Sequence, residues 1–146
     1  MRIAVVAAVA LTGIVFAGVA GGADDPVAAR RQLMKLNNAS ARTAFQMIKN
    51  MKPYDAAAAA DAMNEIASDM VTFPTLFPPG SDEAPQTQAS ADIFTHMDDF
   101  QALADQLITD AKAAAAAAPQ GVEAFSVAFM KVNNDCAACH DKYRIE

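Results

Sequence analysis

The chain has 146 residues and a mass of 15.3 kDa, a length that favours one domain and leaves no room for a barrel enzyme. Aromatic residues make up 7% of it, tryptophan is absent and alanine runs are long, which is typical of helices rather than of a β-sandwich. The net charge of −6 and the sequence pI of about 4.7 disfavour binding to nucleic acid or to anionic lipid, and they leave cationic partners open.

The start of the chain predicts an export signal. Residues 1–23 begin with a positive charge, continue as an uncharged apolar run and end in small residues. This is the pattern of a secretory signal peptide cleaved after Ala20 or Ala23, which leaves 24–146 as one domain. An apolar run of about 18 residues approaches the minimum for a membrane span, so a retained anchor is the alternative. Export predicts a periplasmic protein without a membrane segment after cleavage.

Beyond the signal, apolar residues recur at spacings of three and four, which predicts four helices with one buried stripe each. The predicted helices span about 27–51, 55–73, 90–118 and 122 to the chain end, and Asp55 is the expected N-cap of the second. Residues 74–89 are rich in turn-forming types and predict one long loop. The expected stripe of the first helix is Val27, Met34, Ala41, Phe45 and Ile48.

Four helices with mostly short connections predict an all-α fold, an antiparallel up-down-up-down four-helix bundle. One end of this bundle collects the starts of the first and third helices and the ends of the second and fourth. At about 1.5 Å rise per residue, Met34 and His140 lie at similar heights near that end. A group bound at His140 is therefore expected to meet Met34.

The last helix carries the chemical motif, because residues 136–140 read C-x-x-C-H, the attachment sequence of c-type haem. Two thiols one helical turn apart can form thioethers with the two porphyrin vinyl groups, and the following imidazole ligates the iron. A thioredoxin-like dithiol is expected at a strand-to-helix junction instead. A zinc site would need two more ligands, and the only other histidine is His96. The motif therefore predicts one covalent haem c.

With this motif on the last helix of an exported four-helix chain, the sequence resembles the class II cytochromes c, the cytochrome c′ family. The resemblance covers residues 25–146. It rests on four segments: RRQLMK at 30–35, KPYDAA at 52–57, FPTLFPPGSD at 73–82 and CAACHDKYR at 136–144.

The resemblance implies roles for five residues. Cys136 and Cys139 are the thioether positions and His140 is the proximal ligand. Arg30 is expected near a haem propionate, and Arg144 near the haem edge or the imidazole. The alternatives are a solvated face for Arg30 and a cation favoured at a helix C-terminus for Arg144.

The resemblance also places Met34 on the distal side of the iron. In low-spin members of the family a methionine thioether binds the iron, whereas in five-coordinate members the equivalent side chain only covers that side. Met34 is therefore the expected sixth ligand. The alternatives are ligation by Met70 or Met97, an open iron, and ligation by His96, which is expected to face solvent.

Together these features predict a periplasmic monohaem cytochrome that carries single electrons between redox partner proteins and is not an enzyme. The alternative is a five-coordinate protein that binds nitric oxide or carbon monoxide, and an exported thiol-disulfide enzyme remains only if haem is absent. Helix-paired dimers are common in the resembling family. A homodimer is therefore allowed, with Met47 and Met51 widening the apolar surface of the first helix.

Overall fold

The computed structural model describes residues 25–145, and the predicted signal peptide at 1–23 lies outside them. The described helices are α1 Pro26–Ile48, α2 Ala56–Thr72, α3 Asp92–Thr95, α4 Met97–Ala117 and α5 Val122–Tyr143. Short 3₁₀ turns, Phe73–Leu76 and Ala118–Gln120, follow α2 and α4. Within residues 25–145, no helix is both long and apolar enough to cross a membrane.

Side-chain caps fix the starts of the first two long helices. The Asp25 carboxylate accepts a hydrogen bond from the Ala28 amide at 2.9 Å, and Pro26 opens α1. The Asp55 carboxylate accepts one from the Ala58 amide at 3.0 Å, which confirms the predicted N-cap of α2. Both caps satisfy amides that have no partner within their own helix.

The long helices α1, α2, α4 and α5 form the antiparallel four-helix bundle that the sequence predicts. Helix α4 packs closely against α2 and α5, whereas α1 packs against α2 and only lightly against α5. Fully buried alanines such as Ala59, Ala111 and Ala114 have short side chains, so α2 and α4 can approach each other closely. The light contact between α1 and α5 leaves an opening at one end of the bundle.

The buried face of α1 differs from the predicted stripe. Ala44 and Met47 are buried against α2, with 2% of Met47 exposed, whereas 47% of Phe45 is exposed. Successive helical positions are about 100° apart, so a face centred on Ala44 and Met47 excludes Phe45. Met47 therefore cannot widen an outer apolar surface, and that expectation is wrong. Met51 is 68% exposed and remains available for an outer apolar surface.

The predicted third helix is interrupted. An unbroken helix over 90–118 is expected from the sequence, but α3 ends at Thr95 and α4 begins at Met97. His96 leaves helical geometry, and its ring Nδ1 lies 2.9 Å from the Thr95 hydroxyl oxygen. Asp98 and Asp99 occupy the first turn of α4, where negative charge favours a helix start.

The long loop is fixed to the end of the bundle. The Ser90 amide donates to the Tyr143 carbonyl oxygen at 2.9 Å, and the Ile145 amide donates to that of Gln88 at 3.0 Å. Phe77 is buried in a second apolar cluster with Ile93, Phe100 and Tyr143. This cluster closes the end of the bundle at which α5 finishes.

Candidate functional site

A cleft of about 660 Å³ opens between α1 and α5 at this end of the bundle. Its floor is apolar and comes from α2 and α4, and the long loop supplies one side. All six residues singled out by the sequence line it: Arg30, Met34, Cys136, Cys139, His140 and Arg144. The fold thus brings together two segments about 100 positions apart in the chain.

The α5 wall carries the two cysteines of the motif. Cys136 and Cys139 are free thiols, both half-buried and one helical turn apart. Burial raises the pKa of Cys136, and burial together with the neighbouring Cys136 and Asp99 raises the pKa of Cys139 to about 11. Catalytic dithiols need a thiolate with a lowered pKa. The pair therefore suits covalent attachment of a group better than thiol-disulfide exchange.

His140 lies at the mouth of the cleft in the last turn of α5. Partial burial of the ring lowers the pKa of His140, the cationic Arg144 lowers it further, and Asp141 opposes the shift. The neutral imidazole is therefore favoured, and this is the form that ligates a metal. Within residues 25–145, no three histidine, cysteine or carboxylate side chains cluster to form a protein-only metal site.

The α1 wall carries Met34, whose side chain is half-buried at the edge of the main core. Met70, the first alternative ligand, is 4% exposed and belongs to the floor from α2. Met97 and His96 do not line the cleft. His96 is exposed, and its ring Nδ1 lies 3.1 Å from the Asp92 carbonyl oxygen. Of the four candidate side chains, only Met34 and Met70 line the cleft.

Arg30 points into the protein rather than into solvent. It is 5% exposed, and its Nη2 donates to the Ser81 carbonyl oxygen at 2.9 Å, while its Nε donates to that of Pro26 at 3.2 Å. The guanidinium carbon lies 4.4 Å from the ring centroid of Phe77. Burial lowers the pKa of Arg30, and the nearby carboxylates of Asp25 and Asp82 oppose this shift. An arginine with a lowered pKa is still charged at neutral pH.

Arg144 follows the last turn of α5 and is exposed at the cleft mouth. Its backbone amide donates to the His140 carbonyl oxygen at 3.0 Å, and it forms an isolated β-bridge with Ala89 of the loop. Tyr143, next to it, is 3% exposed and lies edge-on to Phe100, with the ring centroids 5.3 Å apart. The chain end and the loop together hold the proximal side of the cleft in place.

Sequence reasoning did not identify the loop residues of the cleft. Phe77 and residues 87–89 line it, although they lie in a segment rich in prolines and polar residues. Phe77 is 7% exposed. An aromatic residue between turn-forming prolines is the signal for its burial, since a solvated loop has no need of one.

The cleft residues fit a haem. The volume lies in the range of about 300–1,000 Å³ that is usual for cofactor sites. The floor is apolar, while the buried Nη1 of Arg30 has no hydrogen-bond partner and could bind a propionate carboxylate. Two protonated thiols and a neutral imidazole complete the donor set on α5. The fold and the cleft thus define a helical bundle that accommodates a covalently attached haem.

Comparison with known proteins gives the family. The family model described as Cytochrome C′ matches residues 25–144. The chain is 33% identical over 146 residues to cytochrome c-556 of Agrobacterium fabrum, which covers 100% of this chain and 98% of that protein. It is 33% identical over 137 residues to cytochrome c′ of Cereibacter sphaeroides, with 89% of each protein covered. The chain therefore belongs to the cytochrome c′ family.

Solved structures agree with this assignment. A mutant of cytochrome c′ from Rhodopseudomonas palustris superposes with a TM-score of 0.80 at 27% identity, covering 85% of this chain and 100% of that chain. Another similar structure, at 25% identity and a TM-score of 0.76, is a cytochrome c′ with ligand-controlled dimer dissociation; 83% of this chain and 95% of that chain are covered. The chain is a monohaem c-type cytochrome with one covalent haem c, and its family acts in electron transfer or gas binding.

Proposed function

We propose that this protein is a periplasmic electron carrier whose haem is attached to Cys136 and Cys139 and ligated by His140 and Met34. The observation that carries the proposal is that Met34 on α1 and His140 on α5 line the same cleft. Haem c supplies one iron that alternates between the ferric and ferrous states. A histidine and methionine pair keeps the coordination number constant during transfer, which favours fast exchange.

The remaining side chains support this role by binding and orienting. The neutral imidazole of His140 provides a ring nitrogen for the iron, and backbone hydrogen bonds to the loop hold the end of α5 that carries this residue. Arg30 offers an unpaired N–H to a carboxylate. The apolar floor from Ile66, Met70 and Leu107 excludes water from that side of the cleft.

Residues 1–23 are proposed to direct export and to be removed, leaving the domain at 24–146 in the periplasm. A homodimer is proposed as a further property. Phe45 and Met51 are exposed apolar residues of α1 and of the turn that follows it, and a second copy would cover them.

The test is the substitution Met34→Leu. Leucine has nearly the volume of methionine but no sulfur. The change in packing should therefore cost less than about 1.5 kcal/mol of unfolding free energy, while the iron ligand is lost. We expect the ferric spectrum to change from low-spin to high-spin, the methionine–iron charge-transfer band to vanish, and the ferrous form to bind carbon monoxide rapidly. The reduction potential should also fall, because a thioether ligand stabilises the ferrous state.

Met70→Leu is the matched control, since Met70 lines the same cleft from α2. It should leave the spectrum unchanged. Loss of the charge-transfer band in Met70→Leu, but not in Met34→Leu, would make Met70 the ligand. A high-spin ferric spectrum in the unmodified protein would overturn methionine ligation and favour a five-coordinate iron that binds nitric oxide or carbon monoxide.

A further inference from the structure

The charges on the wall of the cleft differ in sign from the charge of the chain. The chain carries 11 lysines and arginines against 17 aspartates and glutamates, a net charge of −6. Among the described residues that line the cleft, four are arginine or lysine and none is aspartate or glutamate. The mouth of the cleft is therefore locally positive on a molecule that is negative as a whole.

Three of these cations face solvent. Arg31, Lys35 and Arg144 are exposed, whereas Arg30 is buried, so we name the exposed three the cationic rim. Arg31 and Lys35 lie four positions apart on α1, which puts them on one face of that helix. Arg144 lies on the opposite side of the opening, next to His140. The rim therefore has members on both walls.

The rim is not neutralised by the protein itself. Within residues 25–145, the only ion pair joins Lys142 to Asp99. Arg31 donates a hydrogen bond to the uncharged amide oxygen of Gln86. Asp141 lies beside His140, and the carboxylates of Asp25 and Asp82 act on the buried Arg30 rather than on the exposed three. Haem c carries two carboxylates, so even complete pairing with them would leave two of the four cleft cations unpaired.

We propose that the cationic rim is the docking surface for redox partners, and that it fits an acidic patch on the partner protein. The proposal rests on the proposed electron-carrier function, because electrons enter and leave at the exposed mouth of the cleft. Complementary charges around a transfer site orient the encounter and raise its rate. The net charge of the chain leaves cationic partners open, whereas the rim predicts an anionic surface on the partner at the site of contact.

The experiment measures the charge at the mouth with two small oxidants of opposite sign. The ferrous holoprotein is oxidised by ferricyanide, a trivalent anion, or by tris(phenanthroline)cobalt(III), a trivalent cation, and the rate is followed by stopped-flow absorbance. One electron passes from protein to oxidant, reducing it to ferrocyanide or cobalt(II), with no proton or bond exchanged. If the rim governs the approach, the ferricyanide rate falls as salt is added and the cobalt rate rises.

Two double variants with the same net charge separate the rim from the whole molecule. In R31Q with K35Q, the ferricyanide rate at an ionic strength of ~10 mM should fall about tenfold, and its salt dependence should weaken or reverse. K49Q with K112Q removes two exposed cations that do not line the cleft and should change this rate by less than about twofold. R31K with K35R keeps both charges and should retain the wild-type salt dependence.

A ferricyanide rate that rises with salt in the unmodified protein would show that the net charge governs the approach and would overturn the proposal. The proposal would also be overturned if the ferricyanide rate fell equally in R31Q with K35Q and in K49Q with K112Q. Failure of methionine ligation can be told apart from failure of this proposal. Loss of methionine ligation changes the ferric spectrum, whereas the rim is tested by the opposite salt dependences of the two oxidation rates.

Discussion

Arg30 is the only charged side chain that is buried among the described residues. A buried charge is costly unless its hydrogen bonds are satisfied. Two carbonyl oxygens and the Phe77 ring satisfy most of the guanidinium, but Nη1 has no partner. A propionate carboxylate of the haem is the proposed partner of this atom.

We therefore expect Arg30→Gln to lower the reduction potential, because it removes a positive charge that favours the ferrous state. One unit charge acting over about 10 Å, at an effective dielectric of about 20–40, corresponds to a shift in potential of a few tens of millivolts. The lost hydrogen bond to Ser81 should also cost about 1–2 kcal/mol of unfolding free energy. Redox titration and urea unfolding of the holoprotein measure the two effects.

The variant Arg30→Lys separates the effect of the charge on the potential from the effect of the hydrogen bond on stability. Lysine keeps the charge but cannot reproduce the planar fork of donors. Its potential should stay near that of the parent while amide exchange around Ser81 becomes faster. An unchanged potential in Arg30→Gln would mean that Arg30 acts only on the loop.

Asp135, the residue before Cys136, is another charged residue with an unpartnered buried atom. Its Oδ2 is buried without a partner, and burial, followed by the nearby Asp110, raises the pKa of Asp135 to about 6, with Lys131 opposing. Between its ordinary pKa of 3.8 and about 6, the folded protein binds more protons than the unfolded chain. Asp135 therefore makes stability fall as pH rises through this window, and the loss persists above it.

Asp135→Asn removes this cost. We expect it to raise the unfolding free energy at pH 7.5 by up to about 1 kcal/mol, allowing for solvent screening of a partly exposed group, and to have no such effect near pH 4. Urea unfolding at several pH values measures the difference between variant and parent. Asp61→Asn, at an exposed position of α2, is the control. A gain that does not depend on pH would rule out titration of Asp135 as its cause.

At the scale of elements, one tyrosine joins the end of α5 to the start of α4. The Tyr143 hydroxyl donates to Asp99 Oδ2 at 2.6 Å, and Lys142 Nζ lies 2.8 Å from the same oxygen. The hydrogen bond from Lys142 is the main cause of the lowered pKa of Asp99, followed by that from Tyr143. This contribution is complete above the ordinary pKa of aspartate and is lost as pH falls through the lowered value.

Tyr143→Phe keeps the ring on Phe100 and removes only the hydroxyl. We expect the melting temperature at pH 7 to drop by roughly 2–6 °C. The difference in melting temperature from the parent should shrink below about pH 4. Tyr54→Phe is the matched control, because the Tyr54 hydroxyl donates to the uncharged Ala118 carbonyl oxygen at 2.7 Å. Its cost should not change with pH. A pH-independent cost in Tyr143→Phe would show that Asp99 is not the partner that matters.

The same elements show how far the sequence predicts the structure. Helix spacing, the Asp55 cap and the C-x-x-C-H motif are local patterns, and the structure keeps them. The break at His96 was missed because the apolar spacing of Ile93, Met97 and Phe100 continues through it. The exposure of Phe45 depends on where α2 lies, and the place of Phe77 on the cleft depends on a folded loop. Both features depend on tertiary packing, which the pattern of a single helix does not determine.

At the scale of the molecule, the cleft separates two apolar clusters. The main core joins α1, α2, α4 and α5, and the second cluster gathers Phe77, Ile93, Phe100 and Tyr143 at the end of the bundle. Cys136 packs against the first cluster and Cys139 against the second. A haem held by both cysteines would lie between the clusters and join them, so the order of this end should depend on the cofactor.

The double substitution Cys136→Ala and Cys139→Ala tests this dependence. Without thioethers, haem should pass into acidified organic solvent on extraction, whereas the parent should retain it after denaturation. The haem-free variant should lose most of its cooperative melting, because an open cleft of about 660 Å³ far exceeds the cavity left by any side-chain truncation. Calorimetry and near-UV circular dichroism measure this loss, and the single variant Cys136→Ala, with one thioether left, is the control. A haem-free double variant that melts as sharply and at the same temperature as the parent would show that the helices close the cleft on their own.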